Sequence, residues 1–128
     1  MDPVVHFEMP YRDAQRVTRF YEAAFGWKVA VAAGGLGHYL LATTAEADVD
    51  SGSPKGAING GFFPFKADWP DQFPSVSIGV SDIHAAIDRL EKAGGQALGQ
   101  PVEIPGIGLY VSFLDTEGNR NSLVQSQK

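Results

Sequence analysis

The stretch Val4-Val5-His6-Phe7-Glu8-Met9 decides how the chain begins to fold. Its apolar residues alternate with His6 and Glu8, and this period of two predicts a β-strand that is packed on one face. His6 and Glu8 therefore lie on the same side of the strand, opposite the apolar residues. The sequence thus places an imidazole and a carboxylate next to each other on a polar strand face.

A helix and three further strands are predicted downstream. After a break at Pro10, Asp13 can cap a helix whose apolar residues recur with helical spacing and which Gly26 ends. The later elements are strands over 27–33 and 38–43 joined by a glycine turn at 34–37, a polar and acidic connection over 44–56, and a strand over 57–63.

The same order of elements then begins again. Residues 65–74 contain two aromatic-Pro pairs and no periodicity, which is typical of a linker. Residues 75–81 alternate like the first strand, and Asp82 can cap a helix that the Gly94-Gly95 pair ends. Three strands are predicted near 96–101, 108–114 and 121–125.

This duplication predicts an α+β fold made of two βαβββ modules. His6 lies seven residues before the first cap, Asp13, and Ser75 lies seven residues before the second cap, Asp82. A single domain, 1–128, then consists of module 1 (about 4–64), a linker (about 65–74) and module 2 (about 75–126). We expect two small sheets that curve toward each other around a cleft in which a small molecule binds.

Composition excludes several classes of protein. The 128 residues suit one domain, and 44% hydrophobic residues can build a core. Fifteen acidic against ten basic residues give a net charge of −5, which argues against nucleic acid as a partner. Without cysteine there are no disulfides or thiolate metal sites, and a reducing cytoplasm is expected. The start lacks a signal pattern and no apolar run approaches about 20 residues, so we expect no membrane association.

Five motifs occur in an order typical of one protein family: Val5-His6-Phe7-Glu8, 19–27, 56–61, 90–95 and Asp115-Thr116-Glu117-Gly118-Asn119. With them the chain resembles the vicinal oxygen chelate superfamily, which includes glyoxalase I, extradiol dioxygenases, fosfomycin-resistance enzymes and bleomycin-resistance proteins. The resemblance covers essentially the whole chain and is greatest to a bacterial glyoxalase-like branch whose members mostly lack an assigned reaction. It implies the βαβββ fold and a homodimer.

The resemblance also implies where a metal would bind. Metal-using members hold one divalent ion through four positions, which fall at His6, Asn59, Ser75 and Ser122 of this sequence. His6 is a usual ligand, and Glu8 can join it from the same strand face, but neither serine is a usual ligand. We therefore expect no tightly held cofactor, and keep zinc, nickel, manganese or iron bound through His6 as the alternative.

Three functional hypotheses follow. The first is a glyoxalase/bleomycin-resistance-like protein that binds a small organic molecule, which the negative net charge would favour as a cation, without a full metal site. The second is a divalent-metal-dependent lyase, isomerase or dioxygenase in which His6, and with it Glu8, holds the metal. As a catalytic pair, Glu8 could instead act as general base while His6 polarises a substrate carbonyl. The third is a non-catalytic module that binds a partner protein. The residues expected to line the cleft are His6, Glu8, Asn59, Ser75, Ser77, Ser122 and Trp69.

Overall fold

The computed structural model describes residues 1–32, 38–45 and 56–127. They form two helices and nine strands, so the predicted α+β class is confirmed. In chain order the elements are β1 (Val4–Tyr11), α1 (Ala14–Phe25), β2 (Lys28–Val31), β3 (Leu40–Thr43), β4 (Asn59–Pro64), β5 (Ser75–Gly79), α2 (Ile83–Lys92), β6 (Gln96–Ala97), β7 (Val102–Ile104), β8 (Gly108–Leu114) and β9 (Arg120–Ser126). The βαβββ order occurs twice, and the second repeat carries β7 as one additional short strand.

The chain divides into two compact units. One comprises His6–Pro74 and is called the His6 unit below; the other comprises Met1–Val5 with Ser75–Lys128 and is called the Ser77 unit. The division falls inside β1, between Val5 and His6, so the first five residues belong with the second repeat. Within the Ser77 unit, the Gly79 N–H donates to the Pro3 carbonyl at 2.9 Å, which ties the chain start to β5.

The sheet of the His6 unit has the strand order β2-β3-β4-β1. β4 runs parallel to β1, whereas β3 runs antiparallel to both β2 and β4. Asp13 caps α1 by accepting from the Arg16 N–H at 3.0 Å, and Gly26 ends the helix in the left-handed region, as the sequence predicted. One face of the sheet packs on α1 through a core of Tyr11, Leu40, Ala42 and Phe62.

The Ser77 unit repeats this plan. β5 runs parallel to β9, β9 pairs antiparallel with β8, and both β6 and β7 pair with β8. Asp82 caps α2 by accepting from the His84 and Ala85 N–H groups, which confirms the predicted cap. The core under α2 consists of Val80, Ile83, Ala86, Val111, Phe113 and Leu123.

Several strand boundaries differ from those predicted. β1 continues through Pro10 to Tyr11, because proline fits an extended backbone and lacks only one hydrogen-bond donor. β3 begins at Leu40 because His38 adopts a left-handed φ of 66°, and the segment predicted as one strand over 96–101 holds the two-residue β6. The glycine turn at 34–37 and most of the acidic connection, 46–55, lie outside the described residues. No helix among the described residues is long and apolar enough to cross a membrane.

Candidate functional site

The alternation of β1 places His6 and Glu8 on the face of the sheet opposite α1. In the parallel register, His6 lies beside Asn59 and Glu8 beside Gly61 of β4. Leu41 of β3 lies on the other side of Gly61, so its side chain projects from the same face. These five residues define what is called the His6 face below. The predicted common orientation of the imidazole and the carboxylate is thus part of a larger surface.

Tyr39 joins the two side chains. Its phenol donates to Glu8 Oε2 at 2.8 Å, and His6 Nε2 lies 2.9 Å from the same phenol oxygen. The imidazole and phenol rings are nearly parallel, with an interplanar angle of 20°. All three side chains are half-buried, so this is a partly desolvated hydrogen-bond chain rather than a set of surface contacts.

Gly61 makes room for Tyr39. A Cβ atom at position 61 would overlap the phenol group of Tyr39, and one at position 60 would overlap the Phe7 ring on the opposite face. Glycine in a strand can let a ligand approach the backbone closely, because it has no side chain to block the approach. The structure instead fills the space over both glycines with aromatic side chains of the chain itself.

Burial lowers the pKa of His6 below its ordinary value of 6.5, and the Glu8 carboxylate partly offsets this effect. An imidazole with a lowered pKa is neutral at pH 7. The site therefore combines a neutral imidazole, a phenol that donates to a carboxylate, and the exposed side chain of Leu41, which is 43% accessible.

Asn59 lies in register with His6, but its side-chain oxygen is already used. Asn59 Oδ1 accepts from the backbone N–H groups of Thr44 at 2.8 Å and Ala45 at 3.0 Å. These bonds hold the end of β3 to the start of β4. The carbonyl oxygen is the only part of an amide that suits a cation, so the residue acts here as a backbone clamp.

Ser77 and Ser122 are brought together in the Ser77 unit. They face each other across the parallel β5–β9 pair, their Oγ atoms are 2.7 Å apart, and each residue is 3% exposed. Ser112 of β8 lies opposite Ser122 in the antiparallel register, which places three serines in one row across the sheet. Ser75 lies two residues before Ser77, on the same side of β5, and is half-buried.

Trp69 belongs to the segment between the repeats, where the side chain of Gln72 bonds to the backbone of Lys66 and Trp69. The indole is 58% exposed, and Lys66 Nζ lies 4.1 Å from its ring centroid. The segment is thus a hydrogen-bonded loop with an exposed aromatic ring. The role of Trp69 as a wall of a binding site stays a prediction.

The four positions that the resemblance assigned to a metal do not supply a usual ligand set. The described residues contain no group of three or more His, Asp or Glu side chains that could hold an ion. Asn59 Oδ1 accepts two backbone bonds, the Ser122 hydroxyl bonds to Ser77, and His6 Nε2 faces Tyr39. The residues present do not fit a closed divalent-metal site, which requires three or four good N or O ligands.

Tyr39 and Ser112 are the residues that the sequence did not single out. A bulky residue beside a strand with a Gly-Gly pair is a usable signal for Tyr39, because such glycines leave space that a neighbouring strand's aromatic ring can fill. Ser112 could have been found only from the pairing of β8 with β9, since its position opposite Ser122 depends on register.

A strand, a helix and three strands, repeated once, with each helix on one sheet face and polar residues on the other, define the glyoxalase-like class of α+β folds. The family model of the Glyoxalase/Bleomycin resistance protein/Dioxygenase superfamily matches residues 4–123. The chain belongs to this superfamily, as the sequence motifs indicated.

Known relatives agree with this assignment. A glyoxylase-like domain-containing protein from Didymella fabae is 28% identical over 117 residues, covering 91% of this chain and 88% of the relative. Methylmalonyl-CoA epimerase from Mycobacterium tuberculosis superposes with a TM-score of 0.71 at 14% identity, covering 98% of this chain and 89% of that one. A Streptomyces coelicolor methylmalonyl-CoA epimerase variant in complex with 2-nitronate-propionyl-CoA gives 0.69 at 18% identity and covers 98% of both chains. At these identities the solved structures show the shared fold alone.

Proposed function

We propose that the protein binds a small organic molecule on the His6 face and does so without a full metal site. The observation that supports this most is the hydrogen-bond chain His6–Tyr39–Glu8, which holds three half-buried polar side chains in a fixed arrangement on the sheet face opposite α1. A few fixed polar groups beside apolar surface are the usual composition of a small-molecule site. The cleft predicted from the sequence stays a prediction, and the proposal concerns the face of the His6 unit.

Apolar surface lies next to the hydrogen-bond chain of His6, Tyr39 and Glu8. Ala30 pairs with Leu41, and Leu41 pairs with Gly61, so the three positions continue the row that ends at Glu8. Ala30 and Leu41 are exposed, and neither is part of the core under α1. A ligand with an apolar body could cover these side chains while its polar group meets the hydrogen-bond chain.

The chemistry of the donor set supports recognition without a tightly bound metal. Asn59 could turn its oxygen to an ion only by releasing two backbone N–H groups, and the Ser122 hydroxyl is engaged by Ser77, so His6 would lack partners for a full ligand set. A bound organic ligand, by contrast, can form hydrogen bonds with these side chains while the bonds among His6, Tyr39 and Glu8 stay intact. The homodimer and the cytoplasmic location expected from the sequence remain parts of this proposal.

An enzyme is the second candidate function, and one observation favours it. Glu8 Oε2 accepts the Tyr39 phenol at 2.8 Å, which orients the carboxylate so that it could take a proton from a ligand on the His6 face. His6 would polarise the same ligand. Turnover that depends on Glu8 distinguishes this candidate from simple binding.

A thermal-shift screen tests the proposal. A library of small organic molecules is screened with and without EDTA, and metal content is measured in protein purified without a metal-affinity tag. We expect ligands that raise the melting temperature equally with and without the chelator, as mass action requires of any molecule that binds the folded state. Tyr39→Phe should reduce the shift.

Tyr21→Phe is the matched control, because among the described residues the Tyr21 hydroxyl makes a single long contact, of 3.9 Å, to the sulfur of Met9 in the same unit. It should respond to ligands like the unmodified chain. Near-stoichiometric metal that is lost on His6→Ala, or ligand shifts that Tyr39→Phe leaves intact, would overturn the proposal.

A further inference from the structure

The direction of the hydrogen bonds in the His6 face fixes where protons lie. A phenol has one proton, and that of Tyr39 is donated to Glu8 Oε2. The contact between His6 Nε2 and the Tyr39 oxygen therefore needs a proton from the imidazole, so Nε2 carries the N–H. In the neutral imidazole the other nitrogen, Nδ1, then has a lone pair and no proton.

No donor among the described residues bonds to His6 Nδ1, which leaves this nitrogen as an open acceptor. The recorded hydrogen bond of the His6 ring is the one from Nε2. Within the described part of the chain, no side-chain nitrogen or oxygen is both buried and without a partner. Nδ1 accordingly keeps contact with solvent, and a ligand can reach it.

We infer that the molecule bound on the His6 face carries an N–H or O–H group that donates a hydrogen bond to His6 Nδ1. This inference rests on the proposed function and adds the chemical class of the ligand. Suitable donors are an organic ammonium or an alcohol. A carboxylate is disfavoured, because it offers Nδ1 no proton at neutral pH and would lie near the Glu8 carboxylate.

Tyr39 is a positioning residue in this scheme. By accepting from Nε2 while donating to Glu8, it keeps the imidazole in one tautomer and one orientation. Removal of the phenol oxygen frees His6 to place its proton on either nitrogen. The preference for ligands that carry a hydrogen-bond donor should then decline, even though the fold is intact.

Matched pairs of small probes test the inference. Benzyl alcohol is compared with benzyl methyl ether, and benzylamine with benzyltrimethylammonium, since each pair differs mainly in the donor; benzoate is the anionic comparison. Binding is followed by the nitrogen chemical shifts of ¹⁵N-histidine in the full chain at about pH 7.5, with His6 assigned from a His6→Gln variant. Benzyl groups are chosen because they can pack on Leu41.

We expect the Nε2–H tautomer in the free protein and a shift of the Nδ1 resonance with benzyl alcohol or benzylamine. The methylated partner should bind about fivefold more weakly, which is the effect of losing one hydrogen bond of ordinary strength. In Tyr39→Phe the preference should vanish and both nitrogens should show partial protonation. Tyr21→Phe should retain the preference.

Equal binding of the ether and the alcohol, tighter binding of benzoate, or a proton on Nδ1 in the free protein would overturn the inference. Failure of the proposed function gives a different result. If screened ligands bind in a Tyr39-dependent way but lack donors, the His6 face is a binding site and only the inferred ligand class is wrong. If no molecule perturbs His6, both are wrong.

Discussion

The hydroxyl oxygens of Ser77 and Ser122 lie 2.7 Å apart, each on a residue that is 3% exposed. The pair joins two parallel strands, β5 and β9, at residues 45 positions apart in the chain. Ser122 occupies one of the four positions that the resemblance assigned to a metal ligand. In this chain the Ser122 hydroxyl forms a hydrogen bond with the Ser77 hydroxyl instead.

Loss of either hydroxyl should destabilise the fold. Ser77→Ala and Ser122→Ala each leave a buried hydroxyl without its partner, at a cost of about 1–3 kcal/mol. The double variant should lose less stability than the two single variants added together, because no unpaired hydroxyl remains. Urea unfolding of the three variants measures this, with the exposed Ser81→Ala as control. Additive losses would show that the two hydroxyls do not depend on each other.

The space above Gly61 is predicted to be essential for the Tyr39 contacts. Gly61→Ala must displace the Tyr39 phenol, whereas Gly60→Ala must displace the Phe7 ring on the opposite face. We expect both to destabilise the chain by about 1–3 kcal/mol, the usual cost of overpacking. Only Gly61→Ala should also alter the His6 nitrogen resonances. An unchanged His6 spectrum in Gly61→Ala would contradict the described position of Tyr39.

Stability should depend on pH through His6. Because burial holds its pKa in the folded state below 6.5, the unfolded chain binds more protons as the pH falls below that value. The contribution of His6 is therefore fully present above pH 6.5 and is lost as the pH falls through the folded-state pKa. Unfolding curves between about pH 8 and about pH 5 measure the decline.

The loss of stability with falling pH should be smaller in His6→Gln than in the unmodified chain. His84→Gln is the control, because His84 lies on the exposed side of α2. An identical pH dependence in His6→Gln and the unmodified chain would show that the imidazole does not titrate differently on folding.

Asn59 should stabilise the connection between the end of β3 and the start of β4 through its side-chain oxygen, which an uncharged or a charged side chain can supply. Asn59→Ala removes the acceptor for the Thr44 and Ala45 N–H groups and should cost about 1–3 kcal/mol. Asn59→Asp keeps that acceptor, so it should be much less damaging. Urea unfolding and amide hydrogen exchange at Thr44 and Ala45 compare the two. Equal losses of stability in the two variants would contradict the role of Asn59 Oδ1 as the acceptor for these two backbone groups.

Much of the fold could be predicted because local physical signals agree with the final structure. The two Asp caps, the left-handed Gly26 and the alternation of β1 depend only on neighbouring residues. Strand ends were less well predicted. Pro10 was expected to break β1, and His38 was assigned to a strand although it has a positive φ, because neither outcome is decided by nearest neighbours alone.

The sequence by itself determined the duplicated βαβββ order, the superfamily, and the common face of His6 and Glu8, since a period of two fixes side-chain direction. Only the tertiary structure decided what those side chains contact. Tyr39 is 31 residues from Glu8 and reaches it through strand pairing and the absence of a side chain at Gly61. Ser77 and Ser122 likewise meet because of the β5–β9 register. Hydrogen bonds between distant residues depend on register and close packing, which no local pattern encodes.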